Sequence, residues 1–266
     1  MRKLLTFILL SLITKAAFSQ VNESWVKKDS IFINQVVNSI QNNSEKIYNI
    51  LDPNEKYLTP LGYGFYSLES STGKGYVSFF FQLVFKKDTL ISYKITAQSP
   101  NIPSLVNRYN KFYSPIFKIN ESDDDKVYYW NFDRVSAPID GKPNADIIIK
   151  SDLKFFMSPY SGIEYGGYGI HGKKLENRIL FEKLAKNFNR NLIEYCLKSI
   201  NPASRLYAAE YYYKNEKDFG KENNLSKLIS DMLHNTPEVY TYSVDVVYQE
   251  NAKKLLNLYI NENLNK

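Results

Sequence analysis

The residues best placed to do chemistry together are Glu164, Tyr165, Tyr168 and His171. They lie in the stretch Ser161 to Gly172, Ser-Gly-Ile-Glu-Tyr-Gly-Gly-Tyr-Gly-Ile-His-Gly. A carboxylate, an imidazole and two phenols here share a short segment with five of the chain's eleven glycines. Glycine relaxes the steric limits on φ, so this density marks a backbone that turns sharply or comes close to another group. A pair of carboxylates hydrolyses glycosidic bonds, and tyrosine offers an apolar ring with a polar tip. A glycan site around Glu164 would draw its second acid from residues such as Asp133, Asp140 or Asp152. The plainer reading is that these tyrosines pack a seam between two domains and that Glu164 is solvated. With only two histidines, His171 and His234, the chain has little imidazole for acid–base work. We therefore assign no catalytic residue, and take Glu164, Tyr165, Tyr168 and His171 as candidates for binding.

Other motifs fall short of a mechanism. Gly167-Tyr-Gly-Ile-His-Gly172 fits G-x-G-x-x-G ahead of a helical segment. No strand abuts it, however, and no later strand carries the acidic residue that would bind ribose, so the dinucleotide reading fails. Backbone N–H groups at the following helix start suit an anion more readily. The fragment Gly169-Ile170-His171-Gly172 resembles the Ile-His-Gly piece of peptidoglycan L,D-transpeptidases, exported enzymes with a Cys nucleophile activated by His. The resemblance covers four residues. Those enzymes carry the nucleophile in a Ser-His-Gly-Cys loop, whereas the only cysteine here, Cys196, shares the apolar spacing of Leu192 and Ile200. A thiol in such surroundings has a raised pKa and is a poor nucleophile. A zinc site would consume Cys196, His171 and His234 together, so we expect no metal and no cofactor. The acidic run Glu121, Asp123, Asp124, Asp125 has neither the glycine nor the later Glu of a calcium loop, and reads as a solvated connection. Tyr211-Tyr212-Tyr213 suits either a recognition surface or a compositional bias, and carries no function.

Arg2 and Lys3, the apolar run Leu4 to Ile13, and Ala17-Phe18-Ser19 read as a secretory signal peptide cut after Ser19. The signal resembles those of Gram-negative bacteria in which Gln often opens the mature chain, here Gln20. The apolar run is shorter than the roughly 20 residues a spanning helix needs. No transmembrane segment is expected after cleavage, and the protein is expected in the periplasm or outside the cell. Removing Arg2, Lys3 and Lys15 takes 34 basic and 28 acidic residues to 31 and 28, so the formal charge falls from +6 to +3. That balance gives no reason to expect nucleic acid. One cysteine makes no intrachain disulfide, so stability must come from packing.

Elements must hold the candidate residues in place. Trp25 to Leu51 has a 3.6-residue apolar period and predicts one helix that docks on the following sheet. A period of two then takes over. Odd positions Val77 to Phe85 and Ile91 to Ala97 are apolar, and aligning both stripes on one face predicts a three-residue loop, Lys87-Asp88-Thr89. Further strands are expected at Tyr63 to Leu68, Lys126 to Arg134 and Asp146 to Ile149, with a short helix or turn at Ser104 to Tyr113. Past the glycines, Leu175 to Ile200 predicts one long helix ended by Asn201-Pro202, with Asn201 capping the next. Helices at Leu225 to Leu233 and Asn251 to Ile260 flank an extended Val239 to Tyr248.

The expected architecture is α+β, with an N-terminal helix packed on an antiparallel β-sheet and then an all-α C-terminal helical domain. We divide the chain into a signal peptide (1–19), a helix-plus-sheet domain (20–160), a glycine-rich junction (161–172) and a helical domain (173–266). Its expected role is that of a non-enzymatic envelope or interaction protein that binds a protein or a glycan. The alternative is a carboxylate-based hydrolase or transferase acting on envelope glycan or peptide.

Overall fold

The computed structural model describes residues 21–42, 44–51, 56–113, 127–141, 151–219, 224–236, 238–243 and 245–264. The signal peptide, the acidic run at 121–125 and the expected strand Asp146 to Ile149 all fall outside them. The fold is α+β: an N-terminal helix, a five-strand antiparallel sheet, then a largely helical C-terminal region with a small hairpin. By its contacts the chain forms two compact units. One comprises Met1–Glu55, Ser71–Phe80 and Ile95–Tyr128, the other Lys56–Ser70, Phe81–Lys94 and Tyr129–Lys266.

The first unit is built around α1 (Glu23–Asn42), whose buried Val26, Phe32, Ile33, Val36 and Ile40 form one stripe. As the apolar spacing predicts, this stripe docks on sheet residues, with Phe32 edge-on to Phe79 at 5.6 Å. Asp29 lies within the stripe and is buried. Its carboxylate accepts hydrogen bonds from Tyr76 N (2.8 Å), Val77 N (3.1 Å) and the Tyr109 hydroxyl (2.6 Å). A Cβ on Gly75 would lie 2.6 Å from Asp29 Oδ1, so only glycine lets the chain approach this closely. The single helix expected to Leu51 is two elements, because α1 ends at Asn42 and a 3-10 turn runs over Ser44–Ile50. Ser44 donates its hydroxyl to Ile40 O and offers the backbone an alternative to the helical ladder. The apolar period survives this break, since Ile47 and Leu51 are still buried. The helix α2 (Pro103–Tyr113) matches expectation.

The strands run β1 (Lys56–Gly62), β2 (Phe65–Gly73), β3 (Ser78–Lys86), β4 (Thr89–Gln98) and β5 (Tyr128–Trp130), and each pairs with the next. Two departures from expectation have a local cause. The β3–β4 turn is Lys87-Asp88 alone, with Lys87 at φ 53°. The three-residue loop presumed one buried face, but Leu83, Val84 and Phe85 are buried in succession, and so are Ser92 and Tyr93. Counting from the two-residue turn sets Val84 opposite Ile91, and both belong to one core cluster with Leu61, Tyr160, Ile163 and Ile200. The strand expected to reach Arg134 stops at Trp130, because Asn131 takes a left-handed conformation (φ 52°) and starts α3 (Phe132–Val135).

In the second unit, α4 (Ser151–Met157) leads through the glycine stretch to α5 (Glu176–Ala185) and α6 (Arg190–Leu197). The one long helix expected here is two. Asn187 N and Phe188 N close tight turns onto Leu184 O and Ala185 O, and the Asn189 side chain accepts from Leu192 N to cap α6. Phe181, Phe188, Ile193 and Cys196 all reach the same core nonetheless. Asn201 caps α7 (Pro202–Lys214) through Ala203 N at 3.0 Å, with Pro202 in the first turn, as the sequence predicts. Then follow α8 (Glu216–Phe219), α9 (Leu225–Asn235), the hairpin β6 (Glu238–Ser243) and β7 (Val246–Asn251), and α10 (Ala252–Leu264). The hairpin occupies the stretch read as extended and is the exception to an all-α C-terminal region. Among the described residues no helix is long and apolar enough to cross a membrane.

α7 is the central helix of this unit, buried from Pro202 to Glu210 without a polar side. Ring contacts join its Tyr207 to Tyr165, Phe156 and Phe181. Burial raises the phenol pKa of Tyr160, Tyr165 and Tyr207 above the ordinary 10. Phenols held neutral in the fold contribute stability that is fully present below pH about 10 and lost at higher pH, where the unfolded chain gives up its protons first. Each such tyrosine lowers unfolding free energy by about 1.4 kcal/mol per pH unit in that range. Urea unfolding should therefore give a flat stability up to about pH 9.5 and a steep fall beyond it. Tyr160→Phe should shallow the fall, and an unchanged slope in that variant would contradict its buried, neutral state.

Candidate functional site

The glycine stretch is fixed by its neighbours at both ends. At its start the buried Asn201 side chain donates to Ser158 O (2.9 Å) and Gly162 O (2.8 Å). Asn177 donates to Gly162 O (3.0 Å) and Glu164 O (2.7 Å). Tyr165 N bonds Tyr240 O of β6 at 2.8 Å, and the Tyr207 hydroxyl bonds both the N–H and the carbonyl of Gly166. The loop then leaves the core. Tyr168 bridges Lys174 and a 3-10 turn covers Ile170–Gly172 around His171 at φ 55°.

The four residues singled out by sequence take three different places. Tyr165 is fully buried, and its hydroxyl donates to Glu210 Oε2 at 3.0 Å. Burial first, and then the Glu210 charge, push its pKa well up. Glu210 is itself buried and accepts two bonds from Arg178 (2.9 and 3.1 Å) and one from Lys214 (2.5 Å), so Tyr165 belongs to a closed structural network. Glu164 is half-buried, with Oε2 accepting from Ile163 N at 3.1 Å. Tyr168, 62% exposed, and His171 line an open pocket of about 550 Å³ together with Gly169, Gly172, Tyr242, Asp245 and Tyr259.

Tyr242, Asp245 and Tyr259 escaped the sequence reading. They come from the β6–β7 hairpin and α10, and no local motif marks them. Asp245 accepts from His171 N at 2.6 Å, and its other oxygen lies 3.6 Å from His171 Nδ1. The Tyr259 hydroxyl accepts from Gly167 N at 3.0 Å, and its ring meets Tyr165 edge-on at 5.0 Å. The Tyr242 phenol is raised by burial and then by the charge of Glu164. The result is a pocket with three tyrosine rings, one carboxylate and one imidazole, of the size and lining that small ligands use.

The carboxylates proposed to partner Glu164 are otherwise engaged. Asp133 pairs with Lys154 at 2.7 Å, Asp140 with Lys198 at 2.8 Å and Asp152 with Lys183 at 2.6 Å. Glu69 of β2 is instead the acid whose charge is coupled to Glu164. The residue is exposed as a whole, but protein atoms crowd its carboxyl. That crowding, and then the Glu164 charge, raise its pKa against a smaller lowering by Lys94. Gln82 Nε2 donates to its Oε1 at 3.1 Å.

Cys196 is buried in the core and burial pushes its thiol pKa far up, so it is no nucleophile. Among the described residues no three His, Cys, Asp or Glu side chains gather to hold a metal ion. The tyrosine triplet is not a surface: Tyr212 is buried, and Tyr211 and Tyr213 pack against the same core. No protein-family model matches the chain, and neither a curated protein nor a solved structure matches it.

Within the loop, glycines at neighbouring positions face different surroundings. Gly166 sits at φ 154° with a would-be Cβ 2.9 Å from the Tyr259 hydroxyl, while Gly167 has open space around it. Gly166→Ala should displace Tyr259 and lower stability by about 1–3 kcal/mol. Gly167→Ala should stay within about 0.5 kcal/mol of the parent. Thermal unfolding of the two variants checks this, and equal melting temperatures would refute the close packing at Gly166.

Proposed function

We propose that this is an exported binding protein whose ligand is a glycan of the cell envelope, held in the pocket of Tyr168, His171, Tyr242, Asp245 and Tyr259. The observation that carries the reading is the lining itself: three tyrosines around a single carboxylate and imidazole. The rings offer apolar faces to the C–H side of a sugar, and the carboxylate and imidazole offer hydrogen bonds to its hydroxyls. No serine, threonine or cysteine stands among the described residues of its lining, which favours binding over turnover. Tyr168, the most exposed wall, serves as the sensitive probe. Titration calorimetry with oligosaccharides from envelope polymers should find a ligand whose affinity falls about tenfold in Tyr168→Ala, the loss of one stacked ring. A panel in which no oligosaccharide binds the parent protein sinks the reading.

The coupling of Glu69 to Glu164 favours a second reading, a hydrolase of envelope glycan. A carboxyl with a raised pKa acting beside a second carboxylate is the pattern of a general acid and its partner. Glu69, whose carboxyl pKa burial and the Glu164 charge raise, would protonate the leaving oxygen, and Glu164 would act as the base or nucleophile. Reducing-end release from envelope glycan should then drop at least a thousandfold in Glu69→Gln and in Glu164→Gln alike. Parent protein that releases no reducing ends leaves only the binding role.

A further inference from the structure

We infer that the tyrosine pocket selects a ligand bearing a positively charged amine, so that its glycan is an amino sugar with a free ammonium group. This rests on the proposed binding role of that pocket and narrows its ligand.

The reasoning starts from charge. Of the described side chains that line the pocket, Asp245 carries the formal charge, and no lysine or arginine stands among them. The nearby Lys174 is engaged by Glu182 at 2.8 Å. Glu164 adds a second negative charge close enough to act on Tyr242. The formal charge on the described lining of the pocket is thus that of a carboxylate.

Its walls strengthen that preference. Aromatic rings present a negative face, and a cation within about 6 Å of a ring centroid is attracted to it. Tyr168, Tyr242 and Tyr259 line the same open pocket as Asp245, so aromatic rings of the kind that cage ammonium groups stand beside one carboxylate. The carboxylate is held for this role. Asp245 Oδ1 is fixed by His171 N at 2.6 Å, and Oδ2 lies 3.6 Å from the imidazole Nδ1. Tyr259 is likewise held by Gly167 N and by its edge contact with Tyr165. A neutral N-acetylated sugar uses the rings but leaves Asp245 without a cation, so acetylation of the amine weakens binding.

Titration calorimetry compares a β-1,4-linked glucosamine tetramer with its fully N-acetylated counterpart at about pH 6, where the amines are charged. The expected result is at least tenfold tighter binding of the free amine. That preference should vanish in Asp245→Asn and shrink as salt is raised, because the charges are partly exposed. Tyr168→Ala, at a position 62% exposed, should weaken the amine tetramer about tenfold. Choline, a cation with no sugar, separates this inference from the reading beneath it. Choline binding without any oligosaccharide binding keeps the cation pocket and overturns the glycan. Equal or tighter binding of the acetylated tetramer overturns the cation and keeps the glycan. No binding of tetramers or choline overturns both.

Discussion

A buried guanidinium sits where the second unit is tied together. Arg205 is fully buried on α7, and among the described residues no carboxylate pairs with it. Its terminal nitrogens donate to backbone carbonyls instead, Nη1 to Ser199 O at 2.8 Å and Ile200 O at 3.3 Å and Nη2 to Leu61 O at the end of β1, while the buried Nε has no hydrogen-bond partner among the described residues. The Tyr63 ring stacks over the charge at 5.2 Å. Burial pulls the Arg205 pKa down to about 10, so the group is still charged at neutral pH. A charge without a counter-ion is expensive in a low dielectric unless strong acceptors replace its water. The planar fork of arginine reaches carbonyls on both the strand and the cap of α7. Close fit around it is evident at Gly62, where a Cβ would lie 2.5 Å from Asn235 O and 3.0 Å from the guanidinium.

From that anchor the same helix organises the site. One end of α7 begins at Asn201, whose side chain caps the helix and also grips Gly162. Further along, Tyr207 clasps Gly166 and Glu210 collects Tyr165, Arg178 and Lys214. A buried ion pair is weak evidence for stability in itself, but removal of one partner strands the other. Here the network fixes a loop rather than a catalytic group. With Tyr165 and Gly166 locked inside, the residues that follow are projected outward, and Tyr168 and His171 reach the pocket together with the hairpin and α10.

This division of labour explains why a glycine-rich segment is not a hinge here. Gly162 (φ 99°) and Gly166 (φ 154°) take backbone conformations closed to other residues, and each lies against packed neighbours. Conformational freedom in the unfolded chain has been converted into a specific path. The chemistry of the pocket follows from that path: a carboxylate held by His171 N, a Tyr259 ring held by Gly167 N and Tyr165, and no thiol among its described walls.

Much of the architecture was legible in residue order. The α+β class, the helix on sheet, the cap at Asn201-Pro202, the buried Cys196 and the extended Val239 to Tyr248 follow from periodicity and capping, because these act over a few residues. Local side-chain bonds at Ser44 and Asn189 broke two helices that periodicity alone had joined. The two-residue turn at Lys87-Asp88 escaped because both faces of the strands are buried, which alternation in one strand does not reveal. The start of α7 was legible from its cap, but the burial of Ser204, Arg205 and Glu210 was not, because only tertiary partners make it tolerable. Of the site, sequence marked Tyr168 and His171 by their company of glycines. Tyr242, Asp245 and Tyr259 lie dozens of residues away, and Glu69 farther still. Their meeting is decided by the packing around Arg205 and Glu210, since proximity in space between distant residues is a property of the folded core and leaves no spacing in the chain to read.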